Sequence, residues 1–271
     1  MCTLSETYYS EKINNSIYRI GNRSWDTPSS SNSCWLIIGS KKALLIDAGN
    51  PGKGLRRFVE SMIQGKELIT ALSHGHFDHV GAIDEFKEIY MNPADIHLLE
   101  GGNGSIQTPF HGRIIPLFEN DFFDLGDRII YVYSVVGHTK GSLVFFDEKS
   151  RILFSGDSVA RRGFFTDTKE TPISRYFDDL LRIEKAHFTK IASAHDTYLL
   201  NKSLIRHFIS TMISRIDSPD GEFELPGVGE FYTIHHGEGV SDPDYLSISF
   251  PKEDQESMIR NIRAWAERTI L

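Results

Sequence analysis

Apolar residues along the chain follow two rhythms. Short apolar runs bounded by turn residues prevail as far as residue 192, and stripes spaced by three and four residues prevail beyond it. The first rhythm reads as buried strands and the second as helix faces. The run at residues 34–38 predicts a strand, residues 39–42 a turn, and residues 43–46 a second strand that leads into Asp47-Ala48-Gly49. Residues 54–62 carry helical spacing, and Gly65 is suited to stop that helix. The run at 68–73 is β-like and delivers the chain to His74. A helix is predicted next, with Ile83 and Phe86 on its inner face, and Pro93 opens a short helix over 94–100 that Gly101-Gly102 ends. Residues 101–120 hold glycines and prolines without a period and read as a loop. Residues 129–136 form a strand running into Gly137-His138. Residues 142–146 and 152–154 flank Asp147-Glu148-Lys149-Ser150 as a hairpin. Ser174 is placed to cap an amphipathic helix through Leu180, Leu181 and Ile183, and Ile191-Ala192 is a short strand. Leu204, Ile205, Phe208, Ile209, Met212, Ile213 and Ile216 mark one later helix; Met258, Ile259, Ile262, Trp265 and Ala266 mark another. Both stripes read as core. Residues 231–250, between them, read as a β hairpin.

The predicted strands end repeatedly at a histidine or an aspartate: Asp47, His74 and His76, His138, Asp157 and His195. Ligand sites in layered α/β folds assemble at the carboxyl ends of strands. The mixture of hairpins and helices predicts a sheet that is not purely parallel.

Composition narrows the setting. With 271 residues, 40% of them apolar, the chain can bury a sizeable core. Lys and Arg number 29 against 37 Asp and Glu, a net charge of -8, which counts against a nucleic-acid partner. Cys2 and Cys34 alone cannot make a disulfide framework or a four-cysteine zinc site. The start, MCTLSETYYSEKINN, has neither the basic nor the apolar region of a secretory signal, and no apolar run approaches the ~20 residues of a membrane span. The expectation is a soluble cytoplasmic protein.

The chemistry concentrates in His74-Gly75-His76-Phe77-Asp78-His79, which puts four metal-binding side chains into six residues. Imidazole and carboxylate together suit zinc, manganese and iron. His74 and His76, two apart, can point into one site from an extended loop. Asp78 and His79 can turn toward a second if the chain bends at Gly75 and Gly81, where glycine tolerates a positive φ. A surface run of His and Asp is the bland alternative. His138 in Val-Val-Gly-His-Thr-Lys-Gly-Ser, Asp157 in Ser-Gly-Asp-Ser and His195 in Ser-Ala-His-Asp weigh against it, because together they are hard to explain as packing.

With Leu-Ile-Asp47-Ala-Gly, Ser-His74-Gly-His76-Phe-Asp78-His79-Val-Gly, Gly-His138-Thr, Ser-Gly-Asp157 and Ala-His195-Asp in this order, the sequence resembles the metallo-β-lactamase-fold hydrolase superfamily, from about residue 32 to 196. The glyoxalase II-like and lactonase-like branches are nearest. The resemblance implies an α/β fold, a four-layer αβ/βα sandwich of two mixed sheets with helices outside. It implies a single domain over residues 1–271, with the motif-bearing core at about 32–196 and a helix–hairpin–helix extension at about 197–271. His74, His76 and His138 would hold one divalent ion and Asp78, His79 and His195 a second, with Asp157 bridging. Asp47 would anchor the loop by hydrogen bonds. The ions are expected to be Zn2+, with Mn2+ or Fe as alternatives. The implied activity is a dinuclear metal-dependent hydrolase, in which metal-activated hydroxide attacks the carbonyl of a small thioester, lactone or other ester. Asp78 would orient the water and pass its proton to the leaving group.

Two departures bear on this. Ala194 stands where relatives often have Gly, and no cysteine stands near Asp157, which together with the lack of an export signal argues against β-lactamase activity. Arg161, Phe164 and Tyr176 are candidate substrate contacts, against the plainer reading that they are solvated or core. His111, in the 101–120 loop, is a candidate cover for the cleft. His235 and His236, adjacent on a strand, face opposite sides, and His97, His187 and His207 are read as helix residues without a role. Rival readings are a phosphodiesterase or nuclease of the same superfamily, a mononuclear iron sulfur dioxygenase, and a non-catalytic binding module. A small-molecule substrate is expected, with no nucleic acid and no membrane. A homo-oligomer is possible from the sequence.

Overall fold

The structure, a computed structural model, describes residues 7–27, 31–102, 106–166, 168, 170–242 and 244–269. Cys2 and the serines at 29 and 30 lie outside them. Alternation along each central strand sends successive side chains to opposite faces, and this sorts the molecule into layers. The first sheet holds β1 (Tyr8–Lys12), β2 (Ile17–Asn22), β3 (Cys34–Ile38), β4 (Lys42–Ile46), β5 (Glu67–Ala71), β6 (Glu88–Met91) and β7 (Arg113–Pro116), in that order. Neighbours are antiparallel from β1 to β4 and parallel from β4 to β7. The second sheet runs from β14 (Leu200–Asn201) through β13 (Lys190–Ser193), β11 (Ile152–Gly156), β10 (Leu143–Asp147) and β9 (Ile129–Ser134) to β8 (Phe122–Asp124).

Trp35, Ile37, Leu44 and Ile46 of the first sheet meet Leu143, Phe145, Ile152 and Phe154 of the second, forming the central core. The alternate residues Leu36, Ala43 and Leu45 face outward onto Leu55 and Val59 of α1 (Leu55–Met62). On the other side Val144, Phe146 and Leu153 face Tyr176, Phe177, Leu180 and Ile183 of α4 (Ile173–Glu184). Helix, sheet, sheet and helix are therefore stacked in four layers, as the family resemblance implies. α5 (Leu204–Arg215) and α6 (Gln255–Thr269) thicken the outer layer. Trp35 ties the sheets together, its indole Nε1–H donating to the Ser193 carbonyl at 3.2 Å.

The structure corrects several local expectations. In place of a full helix after His79 there is only α2 (Phe77–Val80), then a 3-10 turn at Ile83–Glu85; Ile83 and Phe86 are buried there all the same. The short helix near Pro93 is a 3-10 turn, Pro93–Asp95, continued by α3 (Ile96–Leu99). The stretch read as loop at 101–120 contains β7. Its four residues are half-exposed and end in proline, which an edge position tolerates and which hides the strand in the pattern. α4 begins at Ile173 with Pro172 in the capping position, so Ser174 lies inside the helix and caps nothing. The expected hairpin at 231–250 is part of a third sheet, ordered β12 (Arg162–Phe164), β17 (Leu246–Pro251), β16 (Gly229–His236), β15 (Gly221–Leu225). β12 comes from the segment just after Asp157 and pairs in parallel with β17, stitching the C-terminal segment onto the rim of the core.

Candidate metal centre

β4 and β5 are parallel neighbours ending at Ile46 and Ala71, and β11 and β13 are parallel neighbours ending at Gly156 and Ser193. Asp47, His74, Asp157 and His195 therefore emerge at one edge of the two facing sheets. The seven expected ligands converge there. His74 Nε2 and His76 Nδ1 are 3.1 Å apart, His76 Nδ1 and His138 Nε2 2.8 Å, and His138 Nε2 and His74 Nε2 3.1 Å. That triangle has the edge expected of nitrogens that share one ion at ~2 Å. Beside it, His79 Nε2 stands 3.2 Å from Asp157 Oδ1 and 3.9 Å from Asp78 Oδ2. His195 Nε2 stands 3.1 Å from Asp157 Oδ2 and 3.6 Å from Asp78 Oδ2. Asp157 Oδ2 also lies 3.6 Å from His138 Nε2, so this carboxylate faces both groups.

The outward ring nitrogens are already committed. His138 Nδ1 donates to the Phe164 carbonyl at 2.6 Å, and His195 Nδ1 to the Ser31 carbonyl at 2.8 Å. A carbonyl only accepts, so in the neutral rings the inward Nε2 atoms carry lone pairs, as metal ligands require. His79 Nδ1 is 2.9 Å from Asp47 Oδ2. Two buried inward atoms, His79 Nε2 and Asp157 Oδ1, have no hydrogen-bond partner. Their 3.2 Å approach lacks hydrogen-bond geometry, whereas a cation between them satisfies both. The donor set fits a divalent metal site.

The charges divide the centre. Burial, then the neighbouring His79 and His138 rings, hold His74 well below the ordinary imidazole range. Burial and His138 push His76 down to about 3. Burial also disfavours charge on His79, but Asp157, Asp78 and Asp47 outweigh it and hold that ring well above the ordinary range. For His195 the same contest, against Asp157 and Asp78, ends at about 9. Asp157 is buried, yet His195 and His79 draw its carboxyl well below the usual range.

Supporting residues hold the loops. Asp47, in the left-handed region at φ 66°, accepts from the Ser73 N–H at 2.7 Å and the Ser73 hydroxyl at 2.8 Å. Aspartate, whose short side chain can hydrogen-bond locally, is one of the few residues other than glycine that enter this region. The expected anchoring geometry is thus present. Three further supports went unread in the sequence. Asn32 donates its amide to both the carbonyl and the Oδ2 of Asp78, each at 2.8 Å. Ser31 receives His195 through its carbonyl. Asp95 accepts from the Gly75 and Gly141 N–H groups and the Thr139 hydroxyl. Only the Asn32-Ser33-Cys34-Trp35 step into a strand and the Pro93-Ala94-Asp95 helix start hinted at these positions.

The candidate substrate contacts take other roles. Arg161 is buried, its Nε–H donating to Asp196 Oδ1 at 2.7 Å and its Nη1 to the Val240 carbonyl at 2.9 Å, so it ties β12 to the C-terminal segment. Tyr176 is buried in the outer core, and its hydroxyl donates to the Ser158 carbonyl at 2.6 Å. Both side chains are structural, and the reading of them as substrate contacts is corrected on that ground. Phe164 is half-buried and packs on Phe231 and Phe223; its carbonyl, through His138, is what reaches the site. His111 is exposed. His187 lies beyond α4, not in a helix. His235 and His236 meet different partners, Tyr245 and His207. His97, read as roleless, lines a small concavity with His76, His138, Lys140 and Thr166.

Fold and side chains together define a metal-dependent hydrolase. Residues 28–195 match the model of the metallo-beta-lactamase superfamily, and the chain belongs to it. The acyl-coenzyme A thioesterase MBLAC2 of Gallus gallus is 28% identical over 185 residues, covering 57% of this chain and 66% of its own. The hydroxyacylglutathione hydrolase of Edwardsiella ictaluri is 27% identical over 180 residues, covering 66% of this chain and 67% of its own. The chain thus spans about two thirds of the length of these relatives. A beta-lactamase domain protein from Burkholderia ambifaria superposes with a TM-score of 0.64 at 18% identity, covering 80% of this chain and 79% of its own. At that identity the likeness speaks for the fold. Among the described residues, no helix is long and apolar enough to cross a membrane.

Proposed function

We propose that this protein hydrolyses a small acyl thioester, with lactones and other esters as the neighbouring substrate classes, at a site for two divalent ions. The observation that carries the reading is the pairing of two three-donor groups, His74/His76/His138 and Asp78/His79/His195, around a carboxylate that faces both. The curated names of two relatives, a thioesterase and a hydroxyacylglutathione hydrolase, favour thioesters within the class. Zn2+ suits this donor set best, with Mn2+ or Fe as alternatives. When bound, the ions supply Lewis acidity and a water acidic enough to act near pH ~7.

The residues do the rest. The outward hydrogen bonds of His138 and His195 fix which nitrogen faces inward, and Asp47 orients His79. Asp78 is held by Asn32 through Oδ2, which aims its carboxylate at the attacking water. It can accept the proton that this water loses and return it to the leaving sulfur or oxygen. Burial of His74 and His79 keeps bulk water off one side of the centre, while the half-exposed Asp78 and His195 border its entrance. The setting is a reducing one, the cytoplasm, and the partner a small molecule.

Elemental analysis of protein purified without added metal, followed by acyl-coenzyme A, lactone and phosphodiester panels, tests this. Near two Zn or Mn per chain with thioester turnover is the expected result. A single Fe, or phosphodiester turnover alone, overturns it.

A further inference from the structure

Asp95 sits in the capping position of α3, yet its side chain caps no helical N–H. All of its carboxylate bonds run sideways, to the two loops that carry the three-imidazole group. Oδ2 accepts from the Gly75 N–H at 3.2 Å and from the Thr139 hydroxyl at 2.7 Å, and Oδ1 accepts from the Gly141 N–H at 2.7 Å. Gly75 stands between His74 and His76, on the loop after β5 of the first sheet. Thr139 and Gly141 follow His138, on the loop after β9 of the second. The group is 1% exposed. The approach is tight enough to dictate sequence on both loops. A Cβ on Gly75 would lie 2.7 Å from the Asp95 carbonyl oxygen, and one on Gly141 2.6 Å from the Asp95 carboxylate carbon. Ser142 Oγ, 2.7 Å from Thr139 Oγ1, extends the network.

We infer that Asp95 is the positioning residue of the three-imidazole group, joining the His74–His76 loop to the His138 loop across the two sheets. This rests on the metal reading above. His74 and His76 follow one sheet and His138 the other; the Leu143 N–H, donating to the Ser73 carbonyl at 2.8 Å, joins the sheets behind them, but it touches neither Gly75 nor the residues just after His138. The buried Asp95 carboxylate touches both. The Asp47 carboxylate does not span the two loops: it holds Ser73, whose hydroxyl lies 3.1 Å from His74 Nδ1, and His79, but makes no bond to the His138 loop. Asp95 touches neither the inward nitrogens nor the space between them, so it acts through the loops.

The test is Co2+ titration of the full-length protein, stripped of metal, against a competing chelator, with a two-site fit and a melting curve for each variant. In Asp95→Asn an amide donor faces one of the three donors. The expected result is binding weakened by about 10- to 100-fold at the three-imidazole group, with the Asp78/His79/His195 group within about twofold of wild type. Thr139→Val, which loses one of the three bonds, should weaken the same group by less, and Thr139→Ser, which keeps the hydroxyl, should restore it. Wild-type binding in every variant, or both groups weakening together, overturns the assignment. If Asp95→Asn does not fold, the Thr139 pair decides: Val weak and Ser intact supports it, both intact overturns it. Wild-type protein that takes up no Co2+ overturns the metal reading itself, before any variant is measured.

Discussion

The two halves of the centre lie side by side and are built on opposite electrostatic plans. His74, His76 and His138 crowd three rings together, and burial plus mutual repulsion keeps His74 and His76 well below the ordinary imidazole range. Those nitrogens stay unprotonated at neutral pH. His79 and His195 face Asp157 and Asp78, and the carboxylates hold both rings above neutrality. One half is ready for a cation; the other stabilises itself with protons that a cation must displace. The supports match the plans. The three-imidazole half is joined across its two loops by Asp95, with Ser73 Oγ beside His74 Nδ1 and the Phe164 carbonyl on His138 Nδ1. The carboxylate-rich half is set by Asp47 and the Ser31–Asn32 segment.

The largest break in this comparison is Asp157→Asn. It removes the charge that faces both halves and leaves His79 and His195 without their main counter-charge. Turnover should fall by at least ~10²–10³, with the second ion lost. Wild-type metal content in that variant would refute the bridging role.

Proton release sharpens the comparison. At pH 7 His195, raised to about 9, and His79, also raised, carry protons, so loading their half should release protons, while His74 and His76, held low, should release almost none. Calorimetry in two buffers of different ionisation enthalpy separates the steps. The same linkage acts on folding. A pKa raised from 6.5 to about 9 contributes stability that is full below 6.5 and gone above about 9. Stripped protein should therefore melt lower at pH 9 than at pH 6.5, by on the order of a few degrees. A flat profile, or equal proton release in both steps, would remove the asymmetry.

Asn32→Ala tests the support of the carboxylate-rich half. Asp78 loses the donor on its Oδ2, and kcat is expected to fall roughly tenfold for one charge-assisted hydrogen bond with two ions still bound. Unchanged kcat would separate Asp78 from proton transfer.

The smallest effect belongs to Tyr176→Phe. The ring underlies Gly137, next to His138, and its hydroxyl serves only the Ser158 carbonyl. Losing that bond should cost about 1–2 kcal/mol of stability and leave kcat within twofold. A fall of ~10²-fold would restore Tyr176 as a substrate contact.

All seven candidate ligands were legible because their chemistry is scarce and local. Five histidines and two aspartates at strand ends, four of these residues within one six-residue run, have few explanations other than a metal. The central strands were legible as short apolar runs at 34–38, 43–46 and 142–146, and their stacking into four layers followed from the family resemblance. Edge strand β7 was not, because four half-exposed residues ending in Pro116 carry no period. Nor was the third sheet, since β12 finds its partner β17 more than eighty residues along the chain.

The sequence by itself determined which residue types meet at the centre and which strand ends carry them. Tertiary structure alone decided how they are held. An aspartate after Asn92-Pro93-Ala94 reads as a helix-start residue, and only the approach of two loops from different sheets turns Asp95 into a strut between imidazoles. An arginine after Asp157 reads as a solvated charge or a substrate contact, and only Asp196 and the Val240 carbonyl, brought in from elsewhere in the chain, commit Arg161 to structure. The reason is physical. A ligand's identity lies in its own atoms, but a supporting residue's role lies in which donors and acceptors the fold delivers to it.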